Sequence, residues 1–400
     1  MIMKIELENF YSIRDRIIID FIAGNAKSAY TERLDANVMT TPNGKILKTI
    51  GLFGQNASGK SNIMKALAFC INLMNNSHLY SDTARLDYAP YKFEGYPDKP
   101  SSFQIDFTID GIEYEYSFSL LHGIILKEAL FHSPKGRRAK VFERDESSLG
   151  PIYSFGKNII AKPNDVIAST GRKNLFLSRA SSMNRPLPQR ICRYFKENIV
   201  LEPTAFDDLK MEHSFTEYKN LILAALALCD SDIIDIELDY ERMDNLRRPV
   251  FTTYHKADSS IPFDMAKEES SGTNNLFRLL LTMLDVMDNG KLMLLDEFDN
   301  SLHTFLADFV INLIHASNNA QMIFTSHNTN LIDTKKLRKD QILFVNRKDN
   351  NHTEVYSLYD FKDFRETMDA EKGYLQGRFG AISDIDGSVY SIKQLTQKIR

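Results

Sequence analysis

The 400-residue chain lacks any run of eighteen apolar residues and contains three cysteines. A helix that crosses a membrane needs about 18 or more consecutive apolar residues, so we expect no membrane span. Cys70, Cys192 and Cys229 lie far apart and lack the spacing of a metal site, which is typical of a reducing compartment. The chain opens directly on a strand-like pattern, so we also expect no signal peptide. These absences favour a cytoplasmic protein, and a role in transport would need a separate membrane subunit.

A strong charge of either sign, internal repeats and low-complexity tracts are also missing. The formal net charge is −4 at pH 7, so no overall charge attracts nucleic acid, and any such contact would have to be local. Sustained heptads are absent, which argues against a long coiled-coil arm. With 43% hydrophobic residues, the chain can form one large or two medium domains with substantial cores.

Residues 54–61 have the sequence Gly-Gln-Asn-Ala-Ser-Gly-Lys-Ser, which matches the phosphate-binding P-loop pattern GxxxxGK followed by Ser or Thr. An apolar strand is predicted at 46–53 and an amphipathic helix follows the motif. Backbone N–H groups of such a loop point at phosphates, and the helix N-terminus adds a partial positive charge. Lys60 would supply a full charge, and Ser61 a hydroxyl for Mg²⁺. The alternative is a glycine-rich turn without a ligand. The residues predicted to hold ATP are Gly54, Asn56, Ser58, Gly59, Lys60, Ser61 and Asn62.

Residues 292–297, Leu-Met-Leu-Leu-Asp-Glu, predict a buried parallel strand that ends at two carboxylates. The carboxyl ends of such strands lie at the ligand edge of a doubly wound sheet. Asp296 is predicted to hold Mg²⁺, usually through water, and Glu297 to act on the attacking water as a general base. The alternative is a strand that runs into a solvated turn, which the P-loop in the same chain disfavours.

Another buried strand is predicted at 322–326, and it ends at His327, about thirty residues after Asp296. A histidine at this edge can hydrogen-bond a γ-phosphate, although a lone histidine is more often structural. Its position after the two carboxylates favours a catalytic role for His327.

Residues 269–273, Glu-Ser-Ser-Gly-Thr, precede a strongly apolar helix. Small hydroxyl residues and glycine at a helix start can bind an anion, and an ordinary helix cap is the alternative. Since the P-loop already holds phosphates in one subunit, Ser270, Ser271 and Gly272 are predicted to hold the γ-phosphate of a partner's ATP.

The P-loop and Asp296 lie more than two hundred residues apart but must meet in space. The sequence therefore predicts an α/β ATPase head that is split by inserted material. A β-hairpin is predicted around Asp110-Gly111, and with 141–144 it predicts an antiparallel sheet beside the core. We predict three regions: the N-terminal half of the head with the P-loop and a β subdomain at 1–160, a helical insertion lobe at 161–250, and the C-terminal half of the head at 251–400.

Basic residues are densest at 135–140, and Arg185, Arg190 and Arg193 form a weaker cluster. Each group is either a solvated surface or a contact to nucleic acid or another protein. Asp384-Ile385-Asp386-Gly387 resembles a metal-binding carboxylate pair, but no upstream glutamate motif frames it. We interpret it as an ordinary turn and expect no TOPRIM nuclease domain.

The order of these motifs resembles the ATP-binding-cassette (ABC) class of ATPase. More narrowly, the sequence is similar to the SMC/RecF-like branch at 3–13, 51–62, 269–273, 296–303 and 324–328. The chain, including its segment 370–382, is most similar to AAA-family ATPases of bacterial abortive-infection systems, the AbiL/RloA-like proteins. The resemblance covers nearly the whole chain, closely at the motifs and loosely between about 75 and 250.

The resemblance implies an α/β P-loop NTPase of the ABC type, with an antiparallel β subdomain and a helical insertion. It implies that Ser270 and Gly272 act in trans, that Ser301 and Leu302 form the D-loop at a dimer interface, and that His327 is the switch histidine. Residues 9–14 would line the base and ribose side of the bound nucleotide. His303 replaces the aspartate of transporter-type D-loops, as is common in the SMC/RecF-like branch. The Q-loop glutamine is not placed, and its best region is 175–189.

The leading hypothesis is an ATP- and Mg²⁺-dependent ATPase that forms a head-to-tail homodimer around two ATP molecules. By resemblance, it would control a separately encoded effector, a nuclease, in antiphage defence. The second hypothesis is a RecF/SMC-like, ATP-gated DNA-binding protein of DNA repair. A third is a scaffold that binds ATP but hardly hydrolyses it.

Overall fold

The computed structural model describes residues 1–24, 32–42, 44–201, 208–229, 231–243, 246–298, 304–365 and 367–382. The strands, in chain order, are β1 (Ile2–Glu8), β2 (Ile17–Asp20), β3 (Val38–Thr41), β4 (Gly44–Leu47), β5 (Thr49–Phe53), β6 (Ser101–Ile109), β7 (Ile112–Leu121), β8 (Ile124–Ser133), β9 (Ala139–Asp145), β10 (Tyr153–Phe155), β11 (Ile199–Val200), β12 (Ile233–Met243), β13 (Leu246–His255), β14 (Asp258–Asp264), β15 (Leu292–Leu295), β16 (Gln321–Ser326), β17 (Ile342–Arg347) and β18 (Thr353–Ser357). The helices are α1 (Lys60–Asn76), α2 (Pro163–Ser169), α3 (Phe176–Ser182), α4 (Pro186–Glu197), α5 (Asp208–Leu228), α6 (Met265–Glu268), α7 (Ser271–Asp288), α8 (Thr304–Ala316) and α9 (Ala370–Leu375). Within these ranges no helix is long and apolar enough to span a membrane.

The central sheet has the strand order β11-β15-β16-β5-β17-β18. Its strands run parallel except β18, which is antiparallel to β17. Every residue of β5, β15 and β16 is buried, as expected of parallel strands covered on both faces. This arrangement confirms the α/β fold class, and it brings the loops that follow β5, β15 and β16 to one edge of the sheet.

A second, antiparallel sheet has the order β10-β9-β8-β7-β6-β1-β2 within the described residues. The predicted hairpin is confirmed, because β6 and β7 pair along their length. Ser101 lies opposite Leu120 at one end, and Ile109 lies opposite Ile112 at the other. Asp110 and Gly111 have φ values of 48° and 76°, as the tight hairpin turn requires. The sheet packs its inner face on α1 through one hydrophobic cluster, so the P-loop helix lies between the two sheets.

The region before the P-loop differs in detail from the predicted single strand at 46–53. β4 ends at Leu47 and pairs with β3 in a two-stranded hairpin, and β5 starts at Thr49. Lys48 interrupts the run because its ammonium is buried and donates to the carbonyls of His315 and Ser317 at 2.8 and 2.6 Å.

Residues 163–200 belong to the head and do not form a separate lobe. α3 and α4 join the same hydrophobic cluster as α1. The buried carboxylate of Glu128 anchors the start of α3, accepting the N–H groups of Phe176 and Leu177 at 2.6 and 2.9 Å. The segment 175–189, the best candidate for the Q-loop, is therefore mostly helix. The strand beside the Asp296 strand is β11, so its C-terminal end at Val200 points towards the ligand edge.

The lobe around residues 208–288 combines helices with strands, and the expectation of a largely helical region is wrong from 233 to 250. β12, β13 and β14 form an antiparallel sheet that packs against α5 and α7. Phe251 lies between Phe215 and Phe277, with ring centroids 5.0 Å away on each side. The missed signal is the alternation of apolar and acidic residues from 235 to 241, which is typical of a half-buried strand.

Candidate functional site

The P-loop connects β5 to α1 as predicted, and its two glycines are required by close packing. A Cβ on Gly54 would lie 2.1 Å from the Val345 carbonyl oxygen, and one on Gly59 would lie 1.9 Å from Thr353 Oγ1. Gly59 also has a φ of 110°, which residues with a Cβ rarely adopt. The loop is therefore held tightly from behind by β17 and β18.

The side chains of the P-loop fit a phosphate ligand. Lys60 is buried, and its ammonium donates to the carbonyls of Gly54 and Gln55 at 2.7 and 3.1 Å, which holds its charge inside the loop. The hydroxyl of Ser58 is buried, and no hydrogen-bond partner for it exists among the described residues. A buried hydroxyl without a partner is costly, so this loop is built to receive a hydrogen-bonding ligand. Asn56 is exposed, while Ser61 and Asn62 are half-buried on the first turn of α1.

Ser12 and Thr353 support the P-loop helix, and sequence inspection did not identify this role. Ser12 Oγ lies 2.7 Å from Thr353 Oγ1 and accepts a hydrogen bond from the Asn62 amide at 2.7 Å. The Thr353 hydroxyl also contacts the Ser58 carbonyl at 2.8 Å. Within the predicted base-side segment 9–14, Asn9 is buried and holds the carbonyls of Tyr96 and Lys99. Ser12 thus contacts the first turn of the P-loop helix, and Phe10 packs on Phe69 further along the same helix.

Asp296 and Glu297 follow β15, and Thr325 of β16 fixes both. Thr325 is fully buried, and its hydroxyl donates to Asp296 Oδ1 at 2.6 Å. The Thr325 hydroxyl oxygen also accepts the backbone N–H of Glu297 at 2.7 Å. Glu297 has a φ of 49°, a left-handed conformation that costs free energy in a residue with a Cβ. The Asp296 carboxylate and the backbone of Glu297 are therefore held at the end of the strand.

His327 follows β16 and lies beside Glu297, with 3.7 Å between His327 Nε2 and Glu297 Oε1. The register of the sheet pairs Ser326 with Phe53, so His327 and the start of the P-loop leave neighbouring strands at the same level. The structure thus brings the P-loop, Asp296, Glu297 and His327 to one edge.

A magnesium ion fits the oxygen groups at this edge. In the described part of the chain no group of three His, Cys, Asp or Glu side chains could hold a metal ion alone. Mg²⁺ commonly takes only one or two protein oxygens and completes its shell with water and phosphate. The hydroxyl of Ser61 and the carboxylate of Asp296, which Thr325 orients, are suitable donors of this kind.

The Ser-Ser-Gly motif begins α7, as predicted. The Ser270 hydroxyl caps the helix, accepting the Thr273 N–H at 3.0 Å, and Ser270 and Ser271 are exposed. The preceding residue, Glu269, is anchored to the lobe sheet, because its Oε1 lies 2.8 Å from His255 Nε2. Burial lowers the pKa of His255, but the hydrogen bonds with Asp232 and Glu269 outweigh it and raise the pKa above its usual value.

Three arginines of the basic clusters have acidic partners nearby. Arg138 forms two hydrogen bonds to Glu115 at 2.7 and 2.9 Å and lies over the ring of Phe131. Arg190 pairs with Asp110, and Arg185 lies 3.8 Å from Asp165. These ion pairs favour a solvated surface over a nucleic-acid contact. The D-loop residues Ser301, Leu302 and His303, and the turn 384–387, lie outside the described residues.

A protein-family model matches most of the chain. Residues 50–333 match a family model described as "AAA domain, putative AbiEii toxin, Type IV TA system". No curated protein matches the chain.

Three solved structures of SMC heads are similar to this chain, each over 89% of its length. An SMC head bound to the C-terminal winged-helix domain of ScpA has 16% identity over 97% of that chain, with a TM-score of 0.44. The SMC head domain from Thermotoga maritima has 13% identity over 98% of that chain, with a TM-score of 0.39. An SMC head with an extended coiled coil, bound to the C-terminal domain of ScpA and derived from Pyrococcus furiosus, has 15% identity over 96% of that chain, with a TM-score of 0.39.

Proposed function

This chain belongs to the AAA-domain family whose model spans residues 50–333, and on that premise we propose that it is a Mg²⁺-dependent ATPase that dimerises around ATP. The observation that carries the proposal is the meeting of three motifs at one edge of the central sheet. The P-loop, the carboxylates Asp296 and Glu297, and His327 leave neighbouring parallel strands there.

Each residue at this edge has a role in the proposed reaction. The P-loop backbone and Lys60 bind the phosphates, and the Asn56, Ser58 and Asn62 side chains help to define the loop around them. Ser61 and Asp296 would hold Mg²⁺, which would supply positive charge against the phosphates of ATP. Glu297 orients and deprotonates the attacking water, and His327 hydrogen-bonds the γ-phosphate. Thr325 keeps Glu297 and Asp296 in position.

The partner completes the site through Ser270, Ser271 and Gly272. Their place at the N-terminus of α7 gives the motif free backbone N–H groups and a partial positive charge, which suit a γ-phosphate. Because this motif is exposed on the lobe, it is available to a second copy of the chain. ATP binding would close the dimer, and hydrolysis would open it.

The closing motion would control a separately encoded effector, a nuclease, in antiphage defence. The toxin–antitoxin wording of the family description supports a role in such two-component systems. The lobe sheet β12–β14, which is tied to the motif through Glu269 and His255, is the element suited to transmit the motion.

The test of dimerisation is native mass spectrometry of the Glu297→Gln variant, with and without ATP and Mg²⁺. The variant should bind ATP without hydrolysing it, so the proposal predicts a doubled mass with ATP. The Glu297→Gln/Lys60→Ala double variant is the control and should stay monomeric. A mass that is indifferent to ATP would contradict the proposal.

The same variant, purified from its own host, tests effector control. An extra protein in the complex would support the proposed effector. A doubled mass that carries nucleic acid alone would favour a DNA-gating role instead.

The test of hydrolysis compares Lys60→Ala with Lys65→Ala, which removes an exposed lysine of the same helix. Loss of the phosphate-binding charge should lower the ATPase rate by about 100-fold or more, whereas Lys65→Ala should leave it unchanged. Full activity of Lys60→Ala would show that the P-loop is not the catalytic site.

A further inference from the structure

The segment Ala370–Ile382 touches the nucleotide site at two places. It consists of α9 and a turn in which Gly377, Gly380 and Ala381 have φ values of 74°, 68° and 55°. We call it the C-terminal clasp. Its rings Tyr374 and Phe379 stack on Phe344 of β17, with centroid distances of 5.5 and 5.2 Å. Because β17 is the neighbour of β5 in the sheet, the clasp is anchored next to the P-loop strand.

The first contact is with the P-loop itself. The backbone N–H of Gln55 donates to the carbonyl of Ala381 at 3.2 Å. That carbonyl also accepts the hydroxyl of Tyr374 at 2.9 Å, so its direction is fixed by a buried side chain. Gln55 follows Gly54 directly, and Lys60 donates to the carbonyls of both residues. The clasp therefore supports the part of the loop where the lysine ammonium is held.

The second contact is with the loop that carries His327. The hydroxyl of Thr329, two residues after the histidine, donates to Glu371 Oε1 at 2.6 Å. Thr329 begins a single 3-10 turn, Thr329–Leu331, which the Asn328 side chain caps. A charge-assisted hydrogen bond of this length is among the stronger polar contacts in proteins, so it restrains the backbone that follows His327.

We propose that Glu371 is a positioning residue for His327, and that the C-terminal clasp sets the P-loop and the histidine loop relative to each other. The inference rests on the proposed function, because it assigns His327 to the γ-phosphate. Glu371 touches neither ATP nor the attacking water. It acts through Thr329, so its loss should impair the chemical step more than ATP binding.

The test is steady-state ATPase kinetics of Glu371→Ala, Glu371→Gln and Thr329→Val. Loss of a hydrogen bond to a charged group should lower kcat about tenfold in Glu371→Ala and Thr329→Val, while KM for ATP stays within about twofold. Glu371→Gln keeps an acceptor oxygen and should recover most of kcat. The Glu371→Ala/Thr329→Val double variant should be no slower than either single variant, since both remove one contact.

Asp363→Ala is the matched control. It removes an exposed ion pair to Arg378 of the same clasp, 2.6 Å long, and should leave kcat unchanged. The proposal is overturned if Glu371→Ala keeps the wild-type kcat, if KM rises as much as kcat falls, or if the double variant loses activity additively. A wild-type protein that does not hydrolyse ATP would instead refute the proposed function, and this inference with it.

Discussion

The hydroxyl of Thr325 donates a hydrogen bond to Oδ1 of Asp296 across 2.6 Å, from the strand next to the one that carries the aspartate. Because the Thr325 hydroxyl oxygen also accepts the backbone N–H of Glu297 at 2.7 Å, one buried hydroxyl holds both the Asp296 carboxylate and the Glu297 backbone. The geometry of the site thus depends on a residue that has no direct role in the proposed reaction.

Replacing Thr325 with valine should separate this support from packing. Valine fills the same volume but leaves the Glu297 N–H and the Asp296 oxygen without their shared partner. We expect the free energy of unfolding to fall by about 1–3 kcal/mol. We expect kcat to fall about tenfold, because Glu297 is no longer held in its geometry. Thr325→Ser keeps the hydroxyl and should stay close to wild type in urea unfolding and ATPase assays. Equal behaviour of the two variants would contradict the role of the hydroxyl.

The left-handed backbone of Glu297 predicts that two inactive variants differ in their free energy of unfolding. Both Glu297→Gly and Glu297→Ala remove the carboxylate and should abolish hydrolysis. The left-handed conformation costs a residue with a Cβ about 1–2 kcal/mol of folding free energy, and it does not cost glycine this energy. The greater freedom of glycine in the unfolded chain offsets part of this gain, so the glycine variant should be more stable by roughly 0.5–1 kcal/mol. Urea denaturation checks this, and an alanine variant at least as stable as the glycine variant would argue against the strained backbone.

The buried environment of His315 predicts that the free energy of unfolding falls in acid. This histidine is buried against Thr49, with 2.8 Å between its Nε2 and the threonine hydroxyl. Burial, with a smaller effect of Lys48, lowers the pKa of His315 to about 4. In the unfolded chain this histidine has its ordinary pKa of about 6.5. Between pH 6.5 and pH 4 the imidazole is therefore protonated in the unfolded chain and neutral in the folded chain. Stability should therefore fall as the pH falls from about 6.5 to about 4, by up to about 3 kcal/mol from this group.

The measurement is urea unfolding of wild type and His315→Gln between pH 7 and pH 4. The variant cannot titrate at this position, so its stability should fall less over this range than that of wild type. His213→Gln, which changes an exposed histidine, should follow the wild-type curve. Parallel curves for wild type and His315→Gln would exclude His315 as the source of the acid sensitivity.

The motifs were predictable because each is local in sequence and has one geometric solution. A P-loop needs a strand before it and a helix after it, and β5 and α1 supply them. The buried strands before Asp296 and His327 could be predicted in the same way from their apolar runs. The hairpin at Asp110-Gly111 followed from turn chemistry alone.

The supporting contacts could not be predicted because they join distant segments. Thr353 touches the Ser58 carbonyl, and Glu371 touches Thr329, through contacts that only the folded sheet creates. Thr353 stands in no recognisable motif, and the resemblance at 370–382 assigns no role to Glu371. The prediction fails at β12 for a different reason, because its alternating pattern from 235 to 241 is short and lies between two apolar helices.

We propose that each ATP site combines the P-loop of one chain with Ser270 of another chain. Mixing two inactive variants tests this composite site most directly. Lys60→Ala disables the P-loop and Ser270→Arg blocks the motif, so each variant alone should be inactive. In an equal mixture, half of the dimers are mixed and each has one intact site, so about a quarter of the wild-type ATPase rate should return. Lys60→Ala mixed with the Lys60→Ala/Ser270→Arg double variant should recover nothing. A mixture of the two single variants that stays inactive, or full activity of Ser270→Arg alone, would contradict the claim.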